Sequence, residues 1–247
     1  MGGRKKQRLD VLLVEQGLAE NVTEAAALIG TGRVLVNGNP FAKAGSRWIV
    51  DCPITVQGKE PFVSRGGKKL AAGLDAFAID PCGLICADIG CSTGGFTDCL
   101  LQNGAARVYA VDVGYGVLDW TLRNDERVIV LERCNARYLT VKEISEPLDL
   151  CVVDASFISL ELLLGAMLRL FDGFIRIVAL VKPQFELPRK KVAHGGIVRD
   201  INLQQEALSK IEVFGKSLGL QCQGVIPSPI QGAKGNQEYL MYLTGVD

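Results

Sequence analysis

The pattern of apolar positions changes character near residue 60. Before it, Leu9, Leu12, Leu13 and Gln16 share one face at helical spacing, which predicts a short amphipathic helix over 8–16 that Gly17 stops. Asn21 or Thr23 can cap a second helix over 24–29, ended by Gly30 and Gly32. Val34-Leu35-Val36-Asn37-Gly38 then predicts a strand running into a tight turn, with further short β segments at 48–50 and 54–56. Lys59-Glu60-Pro61 reads as a linker, so residues 1–60 are expected to form a small α+β domain.

After residue 61 the pattern alternates between helices and continuous apolar strands. Helices are predicted over 70–77, 96–102, 160–171 and 203–218. Strands are predicted over 84–89, 108–113, 128–131, 148–153 and 174–181, and a long polar loop over 182–200. Strands buried on both faces and joined through helices imply a mostly parallel, doubly wound α/β sheet in residues 61–247. Two last strands, 222–226 and 238–243, have no helix between them and are expected as an antiparallel edge.

Composition narrows the class. Of 247 residues, 48% are apolar and 22% charged, the balance of a globular protein with a core. The 27 basic and 27 acidic residues cancel, so no overall basic excess announces a nucleic-acid partner. Charge is locally uneven, however: Arg4-Lys5-Lys6-Gln7-Arg8 is a basic run, readable as a phosphate-binding patch or as a solvated terminus. The eight cysteines include no C-x-x-C pair and the single histidine, His194, has no cysteine near it, so no metal site is expected. Thiols inside apolar runs, such as Cys86 and Cys151, suit a reducing, cytoplasmic setting. No apolar segment follows the basic N-terminus, Met1-Gly2 has no Ser or Thr at position 6, and the longest apolar stretch (173–181) is short and holds Arg176. Neither a signal peptide, nor myristoylation, nor a membrane span is therefore expected.

In an open α/β sheet the ligand sits beyond the carboxyl ends of the strands. The first strand ends in Asp88-Ile89-Gly90-Cys91-Ser92-Thr93-Gly94-Gly95-Phe96. Its glycines let backbone approach a ligand, but the spacing is neither G-x-G-x-x-G nor a G-K-[ST] phosphate loop, which disfavours a dinucleotide enzyme. Asp112 ends the second strand, where a carboxylate can accept both ribose hydroxyls, and Asn135 follows the third. Asp154 and Lys182 end the fourth and fifth, the Lys68-Lys69 pair opens the first helix, and Glu238 opens the last strand. Two lysines and two carboxylates converging on a cofactor pocket could favour a neutral lysine able to act as base on an alcohol. Structural salt bridges are the rival reading.

These motifs carry a resemblance. Arg8-Leu9-Asp10 through Asn37-Gly38 resembles the alpha-L RNA-binding motif of a small-subunit ribosomal protein. Ser64-Arg65-Gly66-Gly67-Lys68-Lys69, the glycine turn, Ala110-Val111-Asp112-Val113-Gly114, Asp154-Ala155-Ser156-Phe157, Val181-Lys182-Pro183-Gln184-Phe185-Glu186 and Gly235-Asn236-Gln237-Glu238-Tyr239 resemble, in order, the TlyA family. That family is similar to FtsJ-like RNA 2′-O-methyltransferases and is often labelled hemolysin. The resemblance implies a Rossmann-like class I methyltransferase with a seven-stranded sheet, S-adenosyl-L-methionine as cofactor, and rRNA or ribosomal subunits as partner. It implies a catalytic tetrad of Lys69, Asp154, Lys182 and Glu238, and a cofactor site along Asp88, Gly90, Ser92, Gly94, Gly95, Phe96, Asp112 and Asn135. RNA contacts are expected from Arg4, Lys5, Lys6, Arg8, Arg33, Arg65, Lys68, Arg189 and Lys190. Lys182 would take the 2′-hydroxyl proton, Asp154 would orient it, and Glu238 would hold Lys69. Phe157 or Phe185 could stack on an extruded base, and His194-Gly195-Gly196 suggests a lid. Family members carry Trp before the Val that precedes Ser-Arg-Gly; here it is Phe62. A membrane-active cytolysin and a non-catalytic RNA-binding protein are the alternatives.

Overall fold

The computed structural model describes residues 5–40, 43–58, 60–232 and 234–246. Its contacts divide the chain into two compact units, Met1–Glu60 and Pro61–Asp247.

The first unit runs β1 (Lys6–Arg8), α1 (Leu9–Glu15), α2 (Val22–Gly30), β2 (Val34–Val36), β3 (Asn39–Pro40), β4 (Arg47–Ile49) and β5 (Ile54–Val56). Asn21, rather than Thr23, caps α2, its Oδ1 accepting the Glu24 N–H at 2.9 Å. The helix expected over 8–16 is shorter because Arg8 is extended: β1 pairs antiparallel with β4, a contact no local pattern announced. Strand β2 sits between β3 and β5. Leu9, Leu12 and Leu13 from α1, Ala25 and Ile29 from α2, and Val34 and Val36 from β2 are fully or almost fully buried. Each large apolar side chain so buried contributes roughly 1.5–3 kcal/mol.

The second unit runs α3 (Gly66–Ala76), β6 (Ile85–Ile89), α4 (Gly95–Gln102), β7 (Arg107–Val111), α5 (Trp120–Arg123), β8 (Val128–Leu131), β9 (Leu150–Val153), α6 (Glu161–Leu168), β10 (Phe174–Val181), α7 (Pro183–Glu186), α8 (Ile201–Ser217), β11 (Gln221–Pro227) and β12 (Tyr239–Val246). Its strands form one seven-stranded sheet in the order β11-β12-β10-β9-β6-β7-β8. The central pairs are parallel, and β12 is antiparallel to both its neighbours. The expected doubly wound, mostly parallel α/β sheet therefore forms, and the last two strands make an antiparallel edge as expected. Only β11 lies outermost, whereas β12 inserts between β11 and β10. The burial of the two strands explains this: β11 alternates half-buried and exposed positions, while β12 carries paired buried positions such as Leu240-Met241. The order reverses beside β6, which has β7 on one side and β9 on the other. That switch point is where such sheets hold ligands.

Two further differences from the sequence pattern bear on the site. Helix α3 begins at Gly66, four residues before the expected start, since Gly66 and Gly67 serve close packing. A Cβ on Gly67 would stand 2.3 Å from the Phe62 ring, and one on Gly66 would touch Phe96 and Gly95. The polar loop after β10 is partly helical, with α7 followed by a 3-10 turn, Arg189–Lys191. The segment before α3 is fastened to α4: Val63 N donates to Asp98 Oδ2 at 2.7 Å, and the Gln102 amide donates to the Pro61 carbonyl at 2.8 Å.

Candidate active site

The site is built on the turn after β6. Gly90 adopts a φ of +83°, and a Cβ there would stand 2.8 Å from the Asp154 carbonyl oxygen. Only glycine satisfies both demands. Asp154 N in turn donates to the Ile89 carbonyl at 2.9 Å, so the turn and the end of β9 are stitched together. One residue into the strand, Asp88 is fully buried. Its Oδ2 accepts the Thr97 N–H at 2.9 Å and the Thr97 hydroxyl at 2.7 Å, while Oδ1 has no hydrogen-bond partner among the described residues. Burial pushes the Asp88 carboxyl up to about 7; the Thr97 bonds oppose the shift and the charges of Asp154 and Asp112 add to it.

Asp112, at the end of β7, accepts Ser92 N at 2.8 Å on Oδ2 and Gly114 N at 2.7 Å on Oδ1, which ties the glycine turn to the next loop. Asn135 is exposed and caps a 3-10 turn, accepting Arg137 N at 3.1 Å. Gly90, Ser92, Asp112 and Asn135 line one cavity of about 510 Å³. Asp88, Gly90, Ser92, Gly95 and Phe96 line a second, of about 320 Å³. Gly94 lines neither; at φ +96° it lies beneath Leu122 and Leu118, where a Cβ would clash at 2.3 and 2.7 Å.

The smaller cavity also brings together Lys69, Asp154, Lys182 and Glu238. They form two pairs. Lys69 Nζ, from α3, lies 2.6 Å from Glu238 Oε2, and both side chains are nearly buried. Lys182 Nζ, at the mouth of β10, lies 2.6 Å from Asp154 Oδ1. The angles of that second contact are poor, so Asp154 Oδ1 has an ion-pair partner but no aligned donor. The aligned bond of Lys182 runs to the Ser156 hydroxyl at 2.8 Å. Gly232 makes room for Glu238, since a Cβ there would stand 2.3 Å from Oε1. The two cavities share Gly90, Ser92, Asp154 and Ser156.

The basic residues expected to meet RNA fall in different settings. Arg4 lies outside the described residues. Lys5 and Lys6 are exposed. Arg8 is bound internally, its guanidinium donating to both oxygens of buried Asp10 at 3.0 and 2.6 Å and holding that carboxyl below its usual range. Arg33 donates to the Gln57 carbonyl at 3.0 Å. Arg65 is exposed at the smaller cavity, and Lys68, on α3, is half-buried. Arg189 and Lys190 are exposed on the 3-10 turn after α7. His194 is exposed and lines neither cavity, and the loop beyond it is fastened by buried Asn236, which bonds Gly196 O and Val198 N at 2.8 Å each. Phe157 is 90% exposed at φ +66°, with its ring centroid 5.2 Å from that of Phe185. Ser64, Ser156, Gln231 and Gly232 also line the smaller cavity, and the sequence gives none of them a role of its own. Ser156 had a signal, two positions after a strand-ending Asp, whereas Gln231 and Gly232 stand in a loop without pattern.

The model of the FtsJ-like methyltransferase family matches residues 62–244, and that of the S4 domain matches residues 7–47. The chain is 45% identical over 241 residues to the 16S/23S rRNA (cytidine-2′-O)-methyltransferase TlyA of Mycobacterium tuberculosis, covering 97% of this chain and 90% of that one. It is 38% identical to Hemolysin A of Brachyspira hyodysenteriae, covering 95% and 98% of the two chains. A solved structure from Streptococcus thermophilus, carried under a provisional hemolysin label, superposes with a TM-score of 0.76 at 40% identity, covering 99% of this chain and 90% of that chain.

Proposed function

This chain belongs to the TlyA family of FtsJ-like methyltransferases, and from that premise we propose that it methylates a ribose 2′-hydroxyl of rRNA, at a cytidine, with S-adenosyl-L-methionine as methyl donor. The observation that carries this reading is the meeting of two lysine–carboxylate pairs in a cavity that adjoins the glycine turn.

The residues present fit the cofactor. Asp112 stands where a ribose can be held, Asn135 lines the same cavity, and the unanswered oxygen of buried Asp88 suits a cationic group. When bound, S-adenosyl-L-methionine supplies a methyl group already activated on a sulfonium. What the protein adds is aim, worth roughly 7–11 kcal/mol of barrier in well-oriented reactions. Lys182, entering as the neutral amine, takes the 2′-hydroxyl proton at Nζ, and Asp154 stabilises the ammonium that results. Lys69, held by Glu238, faces the developing oxyanion. General-base help of this kind gives about 10²–10⁴-fold. Exposed Phe157 offers a face to an extruded base, and Arg65, Arg189 and Lys190 offer charge to nearby phosphates. Lys5 and Lys6 on the S4 unit offer phosphate-binding charge of their own. The partners on this reading are rRNA or ribosomal subunits, in the cytoplasm.

The test is Lys182→Ala in a tritiated-methyl transfer assay, with cofactor binding followed by calorimetry. Loss of transfer with binding retained is expected, and full turnover would remove the reading. The hemolysin label of some relatives suggests a membrane activity, yet among the described residues no helix is long and apolar enough to cross a membrane. Liposome leakage that persists in Lys182→Ala would favour that second reading.

A further inference from the structure

We propose that Ser156 is a positioning residue for this reaction: its hydroxyl sets the direction in which the Lys182 amine faces the incoming 2′-oxygen. The inference rests on the 2′-O-methyl transfer proposed above.

Charge and direction reach Lys182 from different residues. Asp154 Oδ1 is near, at 2.6 Å, but lies off any hydrogen-bond line, whereas Ser156 Oγ accepts an aligned bond at 2.8 Å. Nζ turns freely about the Cε–Nζ bond unless one of its three tetrahedral positions is fixed. The bond to Ser156 fixes one and with it the directions of the other two, whereas Asp154 supplies charge without fixing a direction.

Ser156 also stands where that direction matters. It is among the four residues common to both cavities, at the passage between the cofactor side and the tetrad side. Its loop is locked to the segment that carries Lys182. Glu186, buried at the end of α7, accepts the Ser159 hydroxyl at 2.5 Å and Leu160 N at 3.0 Å, while Lys182 is the N-cap of that same helix. The spacing between Ser156 and Lys182 is thereby set by the fold before substrate arrives, which is how preorganised sites avoid reorganising during the reaction.

The step balances without Ser156 changing state. The 2′-oxygen bonds to the methyl carbon, the carbon–sulfur bond breaks with its electron pair going to sulfur, and the 2′-proton passes to Lys182 Nζ, which enters as the neutral amine and leaves as the ammonium. Ser156 Oγ neither gains nor loses a proton.

Ser156 is exposed and adds nothing to the core, so its replacement leaves the fold intact. The experiment compares Ser156→Ala, Ser156→Thr and Lys182→Ala in steady-state methylation of an rRNA fragment, with calorimetric S-adenosyl-L-methionine binding and thermal melting. For Ser156→Ala we expect kcat to fall roughly ten- to a hundredfold, with KM for RNA, cofactor affinity and Tm unchanged. Ser156→Thr, which keeps the hydroxyl, restores most of kcat. Wild-type kcat in Ser156→Ala overturns the proposal, as does a loss confined to cofactor affinity or an equal loss in Ser156→Thr. Turnover by Lys182→Ala would instead remove the parent reading, so the two failures are distinguishable.

Discussion

Lys69 and Glu238 are 169 residues apart in sequence, yet Lys69 Nζ stands 2.6 Å from Glu238 Oε2 in a nearly buried pair. The sheet order makes the contact. Strand β12 inserts beside β10 under α3, which approaches closely because Gly73 faces Leu240; a Cβ there would lie 3.3 Å from the leucine. The pair thus depends on the register of the last strand as much as on the two residues.

Breaking this pair from one side should cost more than removing it. Glu238→Ala leaves the Lys69 charge buried without its partner, and losses of about 3–5 kcal/mol are usual for such a change. Lys69→Met combined with Glu238→Leu removes both charges and should recover most of that stability while remaining inactive. Urea unfolding at neutral pH checks the order of the variants. Equal losses in the single and double variants would place the pair's energy elsewhere.

Asp88 makes a pH-dependent prediction whose sign follows from its burial. Its carboxyl titrates near 7 in the fold and near 4 when unfolded, so between those values the folded state holds the extra proton. Stability from this group is therefore greatest below about pH 4 and falls as pH rises towards 7. Asp88→Asn keeps an acceptor for Thr97 and removes the charge. Its stability relative to the unaltered protein should rise between about pH 4 and pH 7 and level off above that in denaturant titrations; a flat difference across the window would contradict the assignment.

The legible part of the fold was the part set by local chemistry. Apolar runs such as 174–181 marked strands because both faces of β10 are covered, and the polar pair Asn21 and Thr23 marked a helix start, of which Asn21 supplies the cap of α2. What could not be read locally was set by tertiary contact. Gly66 and Gly67 discourage a helix on propensity alone, but their missing side chains admit Phe62, Phe96 and Gly95, so α3 begins there. The site shows the same division. Family motifs named Lys69, Asp154, Lys182 and Glu238, but nothing in those motifs said that Asp154 would be poorly aligned with Lys182, or that Ser156 would be aligned. Arg8 likewise reads as one more cation of a basic run, and only the packing of α1 shows that buried Asp10 claims it.

Gly90 should tolerate no side chain. Gly90→Ala demands both a left-handed backbone from alanine and displacement of the Asp154 carbonyl from a Cβ 2.8 Å away. Because Asp154 N bonds Ile89 O, that displacement would move the Asp154 side chain as well. Cofactor affinity and methyl transfer should fall together. Isothermal titration with S-adenosyl-L-methionine checks the first and a transfer assay the second; normal affinity with lost transfer would mean that the turn does not frame the cofactor.

The basic run at the N-terminus divides into residues that can meet phosphate and one that cannot readily do so. Each lysine that neutralises a phosphate releases counterions, and its loss lowers the slope of log K against log salt by about one. Lys5 and Lys6 are exposed, so Lys5→Ala with Lys6→Ala should weaken binding of an rRNA fragment and reduce that slope by about two. Arg8 is engaged by both oxygens of Asp10, so Arg8→Ala should leave the slope unchanged. Its cost should appear in the folding of the first unit, where Asp10 loses the partner that offsets its burial. Fluorescence anisotropy across a salt series, beside thermal melting of the same variants, separates the two effects. A slope change for Arg8→Ala equal to that of a lysine would show that RNA draws the guanidinium away from Asp10.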